Sequence, residues 1–548
     1  VTRSRLGDAL AVLGVALLAA VLGQRWAGLD TPDSSFYLSL GLFGDEVVQR
    51  AVEPAYYWTR LGAILPTRAL TEALGTGPGL AVLRGLLLLV VVACLFSIVR
   101  RLTSRPAATV VTALLALNTV LLSYLGNPYV TGASFAGLAL VIAGSLARGL
   151  GPALASGVGL GWLVMVHPQA ALLGATVWVA LGWHGRRPGR AWAVSAAAGA
   201  ATAALLWALG RLAFPGRDWL GTLLDWNARL EYDVFASTAP VWLRDISLLV
   251  PVLALALAVV AWARRREAPW AQQAVVIGAS SIGFMLVYSP LQGGVPLEAP
   301  MYQATLWLPT LAVLALVLGG WLEPDPGTWR TWVLGGVAVV AVALAGRSAW
   351  PLPLAAGWIA VAVVVLAAVV VLAAVRPAHT ALAALGLAAL CLVTAQVLQN
   401  ARGDLGLYYL SPYAWAFVDN PVGDKARTAI NAQEWLLEQT SAQDRVLSWV
   451  DGDWVGGDRE LYVVAGMQLW GENRIGLSPT VSADEADRLR DLRPSVVQLV
   501  GRSMDAVLAY WASLPREARA RPPVCYDFAW PSAAVPVGHS CLARLDWR

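Results

Sequence analysis

Apolar runs of bilayer-spanning length alternate with short polar turns through roughly the first 400 residues. The runs are Leu6–Leu22, Leu80–Val99, Ala107–Tyr124, Val130–Ala147, Leu154–Val166, Gln169–Trp183, Trp192–Leu209, Ile246–Ala263, Ala274–Tyr288, Thr305–Leu322, Trp332–Leu344, Leu354–Val375 and Ala381–Leu398. The pattern predicts a polytopic α-helical membrane protein with about thirteen transmembrane helices. Leu6–Leu22 is expected to stay as the first span, because Gly23-Gln24-Arg25 is a poor cleavage site. Two polar stretches interrupt the alternation: a first loop over 24–78, and a second from Arg211 to Arg244. From about Asn400 the pattern changes. Val446–Val450 and Val496–Val500 read as short buried strands, Lys425–Gln439 and Ser503–Ser513 as helices. The chain therefore divides into a membrane region, 1–399, and a small α/β domain, 400–548, long enough to hold its own core.

Charge orients these segments. The chain is 58% hydrophobic and 14% charged with a formal charge of +4, so a nucleic-acid partner is not expected. Arg3/Arg5, Arg100/Arg101/Arg105, Arg148, Arg186/Arg187/Arg190, Arg264–Arg266 and Arg376 fall on one side when each span is counted once. By the positive-inside rule that side is cytoplasmic. The first loop, the turn at His167, the second loop and the α/β domain are then extracytoplasmic. Arginine supplies nearly all the positive charge, Lys425 being the only lysine, a composition that points to a GC-rich bacterial gene and a bacterial plasma membrane.

The outer turns carry the candidate chemistry. Pro32 favours an extended chain before it, and Asp33 is placed to cap a helix on which Phe36, Tyr37, Leu40, Phe43 and Val47 share one face, as in a helix lying in the membrane interface. Span centres hold few ionisable groups, which disfavours an ion-coupled transporter or a glycan flippase. The Gly-rich stretch Gly157–Gly161 lies inside a span, where small residues serve helix packing rather than nucleotide binding. Trp449, Trp454 and Trp470 in the tail either offer aromatic faces to a carbohydrate or fill its core. Cys525 and Cys541, sixteen positions apart in a segment expected to meet oxidising conditions, are a candidate disulfide.

Pro32-Asp33-Ser34-Ser35-Phe36-Tyr37, followed by Glu53-Pro54-Ala55-Tyr56-Tyr57-Trp58, resembles the first external loop of the GT-C glycosyltransferases. It is most similar to the branch of protein O-mannosyltransferases and aminoarabinose transferases. Val166-His167-Pro168-Gln169 resembles their turn between two short spans, where a lysine is usual. The resemblance implies a GT-C-like membrane core and an enzyme that transfers a sugar, with inversion, from a polyprenyl-phosphate donor to a cell-envelope glycan, lipid or protein. It implies Asp33, or Asp30 as second choice, as the base that takes the acceptor's proton. Arg60, Arg68 and His167 would hold the donor phosphate, and Tyr37 and Tyr56 belong to the same segments. Ser34 stands where the family usually has glutamate, and Asn127 where several members place a second acidic, metal-binding residue. No metal ligand is therefore assigned, a divalent cofactor stays open, and Asp30 could compensate. The alternatives are an O-antigen polymerase-like or ligase-like enzyme, which would depend on the second loop with Arg217 and Arg229 as candidates, and a lipid-linked glycan flippase, which would need a polar path across the spans.

Overall fold

The computed structural model describes residues 2–22, 37–38, 40–42, 44, 56–126, 130–229, 246–291, 304–322, 435–436, 438–441, 444–450, 480–501, 503–516, 519, 521–529 and 537–547. The last three apolar runs, Trp332 to Leu398, lie outside the described residues, as does most of the helix expected over Lys425–Gln439, of which 435–436 and 438–439 are helical.

The membrane region is a helical bundle. Its helices are α1 (Thr2–Leu22), α2 (Leu61–Leu74), α3 (Thr76–Arg100), α4 (Arg105–Ala116), α5 (Thr119–Gly126), α6 (Val130–Leu146) and α7 (Leu150–Val164). They are followed by α8 (Pro168–His184), α9 (Gly189–Ala213), α10 (Trp219–Arg229), α11 (Ile246–Arg264), α12 (Pro269–Leu291) and α13 (Trp307–Trp321). Among the described residues four helical stretches are long and apolar enough to cross a membrane: Pro78–Arg100, Gly189–Ala213, Pro269–Leu291 and Ala304–Trp321. The run over Ala107–Tyr124 is two helices rather than one. It breaks at Asn118, whose Oδ1 accepts the Leu121 N–H at 3.2 Å and starts α5 in place of a backbone carbonyl. One apolar core links α1, α3–α8 and α11–α13, with α13 buried along its whole length at the centre.

At one end of the bundle the arginine-bearing turns meet. Asp8 near the start of α1 pairs with Arg105 (2.7 Å) and Arg100 (3.3 Å). Arg101 donates to the Ala143 carbonyl at 3.2 Å, and Arg187 to the carbonyls of Gly144 and Ala147, capping the C-terminus of α6. Turns expected to share a side thus do share an end.

The C-terminal domain holds a four-stranded sheet in the order β1-β2-β4-β3, from β1 (Val446–Val450), β2 (Val496–Gly501), β3 (Val524–Ala529) and β4 (Val537–Arg544). β1 and β2 are parallel; β4 runs antiparallel to both β2 and β3. Two helices, α14 (Ala483–Leu492) and α15 (Met504–Ser513), cover one face. A Ser482/Glu485 capping box starts α14, and the Ser503 side chain caps α15. Leu447, Trp449, Val497, Leu499, Leu489, Val507 and Tyr510 form that core. Trp449 is fully buried and stacks on Tyr510 at 4.3 Å, so this tryptophan fills the core; Trp454 and Trp470 lie outside the described residues. Cys525 and Cys541 face each other across β3 and β4 and are disulfide-bonded. The opposite face carries a buried polar row, Ser448 to Gln498 to Ser540, each link 3.0 Å.

Candidate functional site

The other end of the bundle is built on the start of α2. Residues Tyr56–Thr59 form a 3₁₀ turn, and Arg60 is the residue before α2, with no side-chain cap. Gly62 donates its N–H to the Met165 carbonyl at 2.8 Å, fixing α2 against the turn between α7 and α8. A Cβ on Gly62 would lie 2.5 Å from Val166 Cγ2 and 3.3 Å from the Met165 carbonyl, so only glycine permits this approach. That approach, with Trp58, Leu61 and Ile64 clustering on Met165 and Val166, brings together Arg60 and His167, more than a hundred positions apart.

His167 is the N-cap of α8, with Pro168 at the first helical position and no side-chain capping bond. Its Nδ1 is wholly enclosed. Burial, and secondly the charge of Arg60, hold its pKa down at about 3, so the ring is neutral at physiological pH. Arg60 is 8% exposed. A buried guanidinium beside the start of α2 thus stands next to the start of α8, where the backbone dipoles of both helices point their positive ends.

Aromatic residues wall it. Tyr37 is buried and meets Tyr57 edge to face, with ring centroids 5.4 Å apart. Trp58 packs on Phe214 at 5.8 Å, and Trp219 Nε1 donates to the Thr59 carbonyl at 2.7 Å. The short helical segment at 37–42 lies along α2: a Cβ at Gly41 would meet Thr67 Cγ2 at 2.5 Å, and Gly44, at φ +59°, sits against the Arg68 guanidinium. Arg68 itself is about two turns further along α2 and pairs with Glu72 at 2.7 Å. Gln169, buried next to His167, donates to Thr305 Oγ1 (3.3 Å) and Met285 Sδ (3.4 Å), tying the start of α8 to α12 and to the 3₁₀ turn at Ala304–Leu306. A second apolar cluster joins Tyr37, Leu40, Trp58, Leu61 and Ile64 with Leu436, Val446, Val496 and Leu542 of the C-terminal domain.

The structure therefore gathers Arg60, His167 and Tyr37. It places Arg68 further out on α2 and Arg217, half-buried, at the turn into α10. The backbone of Tyr56 belongs to the 3₁₀ turn; Asp30, Asp33 and Asn127 lie outside the described residues. Among the described residues no group of three or more His, Cys, Asp and Glu is placed to hold a metal. Sequence reading missed Gly62, Gln169, Thr305 and Trp219. Gln169 adjoins the quoted His-Pro turn and was available as a polar residue at the mouth of a span; Gly62 and Trp219 carry no signal until their partners are known.

No protein-family model matches the sequence, and no curated protein matches it. Among solved structures the chain is similar to ArnT from Cupriavidus metallidurans bound to undecaprenyl phosphate, at 15% identity and a TM-score of 0.49 over 98% of both chains. Apo ArnT gives 16% and 0.47 over the same shares. The Archaeoglobus fulgidus oligosaccharyltransferase AglB, in complex with an inhibitory peptide and a dolichol-phosphate, gives 10% and 0.42, over 97% of this chain and 74% of that one. ArnT, an aminoarabinose transferase, and AglB are both GT-C glycosyltransferases.

Proposed function

We propose that the chain is an integral-membrane GT-C-type glycosyltransferase using a polyprenyl-phosphate sugar on the extracytoplasmic side. The observation that carries this reading is the meeting of Arg60 and His167 at the outer end of the bundle, opposite the arginine-rich end. A buried guanidinium flanked by two helix starts fits a phosphate monoester as it departs with negative charge. His167, being neutral, contributes a ring nitrogen rather than a charge. Nucleotide sugars are cytoplasmic, so a donor met at this end is lipid-linked.

The acceptor hydroxyl attacks the anomeric carbon, the bond from that carbon to the phosphate oxygen breaks, and polyprenyl phosphate leaves toward Arg60. Asp33 takes the hydroxyl proton. Three residues lie between it and Tyr37, four steps of chain with a reach of at most about 14 Å. The acceptor is a cell-envelope glycan, lipid or protein, with the C-terminal domain guiding it. Purified protein should transfer sugar from a polyprenyl-phosphate donor and not from nucleotide sugars. Asp33→Asn should lower turnover on the order of a hundredfold or more with donor binding kept. Transfer from a nucleotide sugar alone would sink the reading.

A further inference from the structure

Helix α10 has three distinct sides. Trp219 and Leu223 turn toward the 3₁₀ turn at Tyr56–Thr59, where Trp219 makes its bond to the Thr59 carbonyl. Leu220 and Leu224, one helical turn apart, are 55% and 60% exposed. Asp218, at the start of the helix, is exposed beside Gly221 on another side. An apolar pair left open on a helix of this kind needs a cover. The chain supplies the reason to name one. α10 follows α9 after a short turn at Gly216 (φ +78°), and α9 is long and apolar enough to cross a membrane. Leu205, Leu209 and Leu212, on one side of α9 toward its outer end, are exposed as well, a few residues before Leu220 and Leu224 in the chain. Arg211 lies over the Trp207 ring at 5.9 Å, the pairing of aromatic and cation that marks headgroup depth.

We propose that α10 lies in the outer leaflet with Leu220 and Leu224 among the acyl chains, and that its bond to Thr59 transmits that depth to Arg60. The occupant of the apolar side is lipid hydrocarbon, because the surface continues that of a membrane-spanning helix. Thr59 is the residue before Arg60, and its carbonyl accepts the Trp219 N–H from α10. The guanidinium is thereby held at the height where a lipid phosphate sits. This coupling rests on the phosphate reading above; the seating of α10 does not.

Full-length protein in nanodiscs of phosphatidylethanolamine and phosphatidylglycerol tests both parts. Spin labels on Leu220→Cys and Leu224→Cys, in a Cys94→Ala background, should be relaxed by oxygen more than by a water-soluble nickel chelate. A label on Asp218→Cys should show the reverse. Nickel relaxation at 220 and 224 as strong as at 218 overturns the seating. Trp219→Phe keeps the packing and removes the N–H; it should weaken binding of added undecaprenyl phosphate roughly three- to tenfold with the labels' depth unchanged. Unaltered affinity overturns the coupling. A wild-type protein that binds no undecaprenyl phosphate overturns the phosphate reading and the coupling with it, while the relaxation data still decide where α10 lies.

Discussion

Arginine stands at both ends of the helical bundle, and the two ends treat it differently. At the end where Arg100, Arg101, Arg105 and Arg187 gather, each guanidinium reaches a carbonyl or the Asp8 carboxylate, and the side chains of Arg100 and Arg105 keep about a third of their surface open. These arginines close helix ends and fix topology. At the other end Arg60 is buried, and its neighbour across the corner is a histidine held neutral. Under the proposed function this enclosed cation, beside a neutral imidazole and two helix starts, is the group that meets the donor phosphate. Charge alone does not separate a topological arginine from a ligand-binding one; enclosure and the company it keeps do.

Substitutions at the two ends test the contrast. Arg60→Ala should reduce sugar transfer on the order of a hundred- to a thousandfold, whereas Arg187→Ala should lower stability and leave turnover unchanged. Equal losses in both, in properly folded protein, would erase the distinction. Gly62→Ala comes next. Its methyl would push α2 off the Met165–Val166 turn and part Arg60 from His167, so turnover should fall roughly ten- to a hundredfold while the helix content stays. Wild-type activity in Gly62→Ala would mean that this approach does not set the site.

His167 gives a smaller effect, visible in pH dependence. Its pKa falls from 6.5 to about 3 in the folded chain. Between those values the unfolded chain binds a proton that the native chain does not. The stability tied to the neutral ring is full above about 6.5 and is lost as pH falls toward about 3. His167→Gln should therefore show a flatter decline in melting temperature on acidification than the wild type, read by thermal unfolding in detergent. Parallel declines would show that the ring is not held neutral. Least of all, Asp8→Asn, at the arginine-rich end, should cost less than about 1 kcal/mol, since the pair is partly solvated, and should leave transfer intact.

Much of this organisation is legible in the sequence because it is periodic. Long apolar runs, the arginines between them, and the valine-rich strands at 446 and 496 each report a local environment, and local environments shape composition. The helix break at Asn118 was hidden, since a single side-chain acceptor replaces one backbone bond without disturbing the apolar run around it. The helices α2 and α10 were read as loop: both are short and amphipathic, and Pro66 inside α2 reads as a breaker when its packing on 37–44 is unknown. At the site, Arg60 and His167 were picked out singly, through a resemblance of short segments. Their meeting depends on a glycine whose role is to have no side chain, and on Met165, whose backbone rather than side chain takes part. Such features leave no mark on residue type. Asp30, Asp33 and Asn127 lie outside the described residues and stay as sequence readings.

The position of β4 in the sheet sets an order of events during folding. β2 and β3 are never neighbours; β4 lies between them, and its residues are the last of the four strands to leave the ribosome. A chain synthesised as far as Ala529 has β1 beside β2, but β3 has no strand to pair with. Cys525 has no partner either, because Cys541 arrives on the same late strand. The domain therefore waits, half-formed, until Val537–Arg544 slides in and closes sheet and disulfide together. Until that moment the face that reaches Trp58 and Leu61 in the finished protein has lost Leu542 from its apolar cluster. Completion of the last strand is a checkpoint on assembly, and chains stalled before it are the ones that chaperones and proteases will meet.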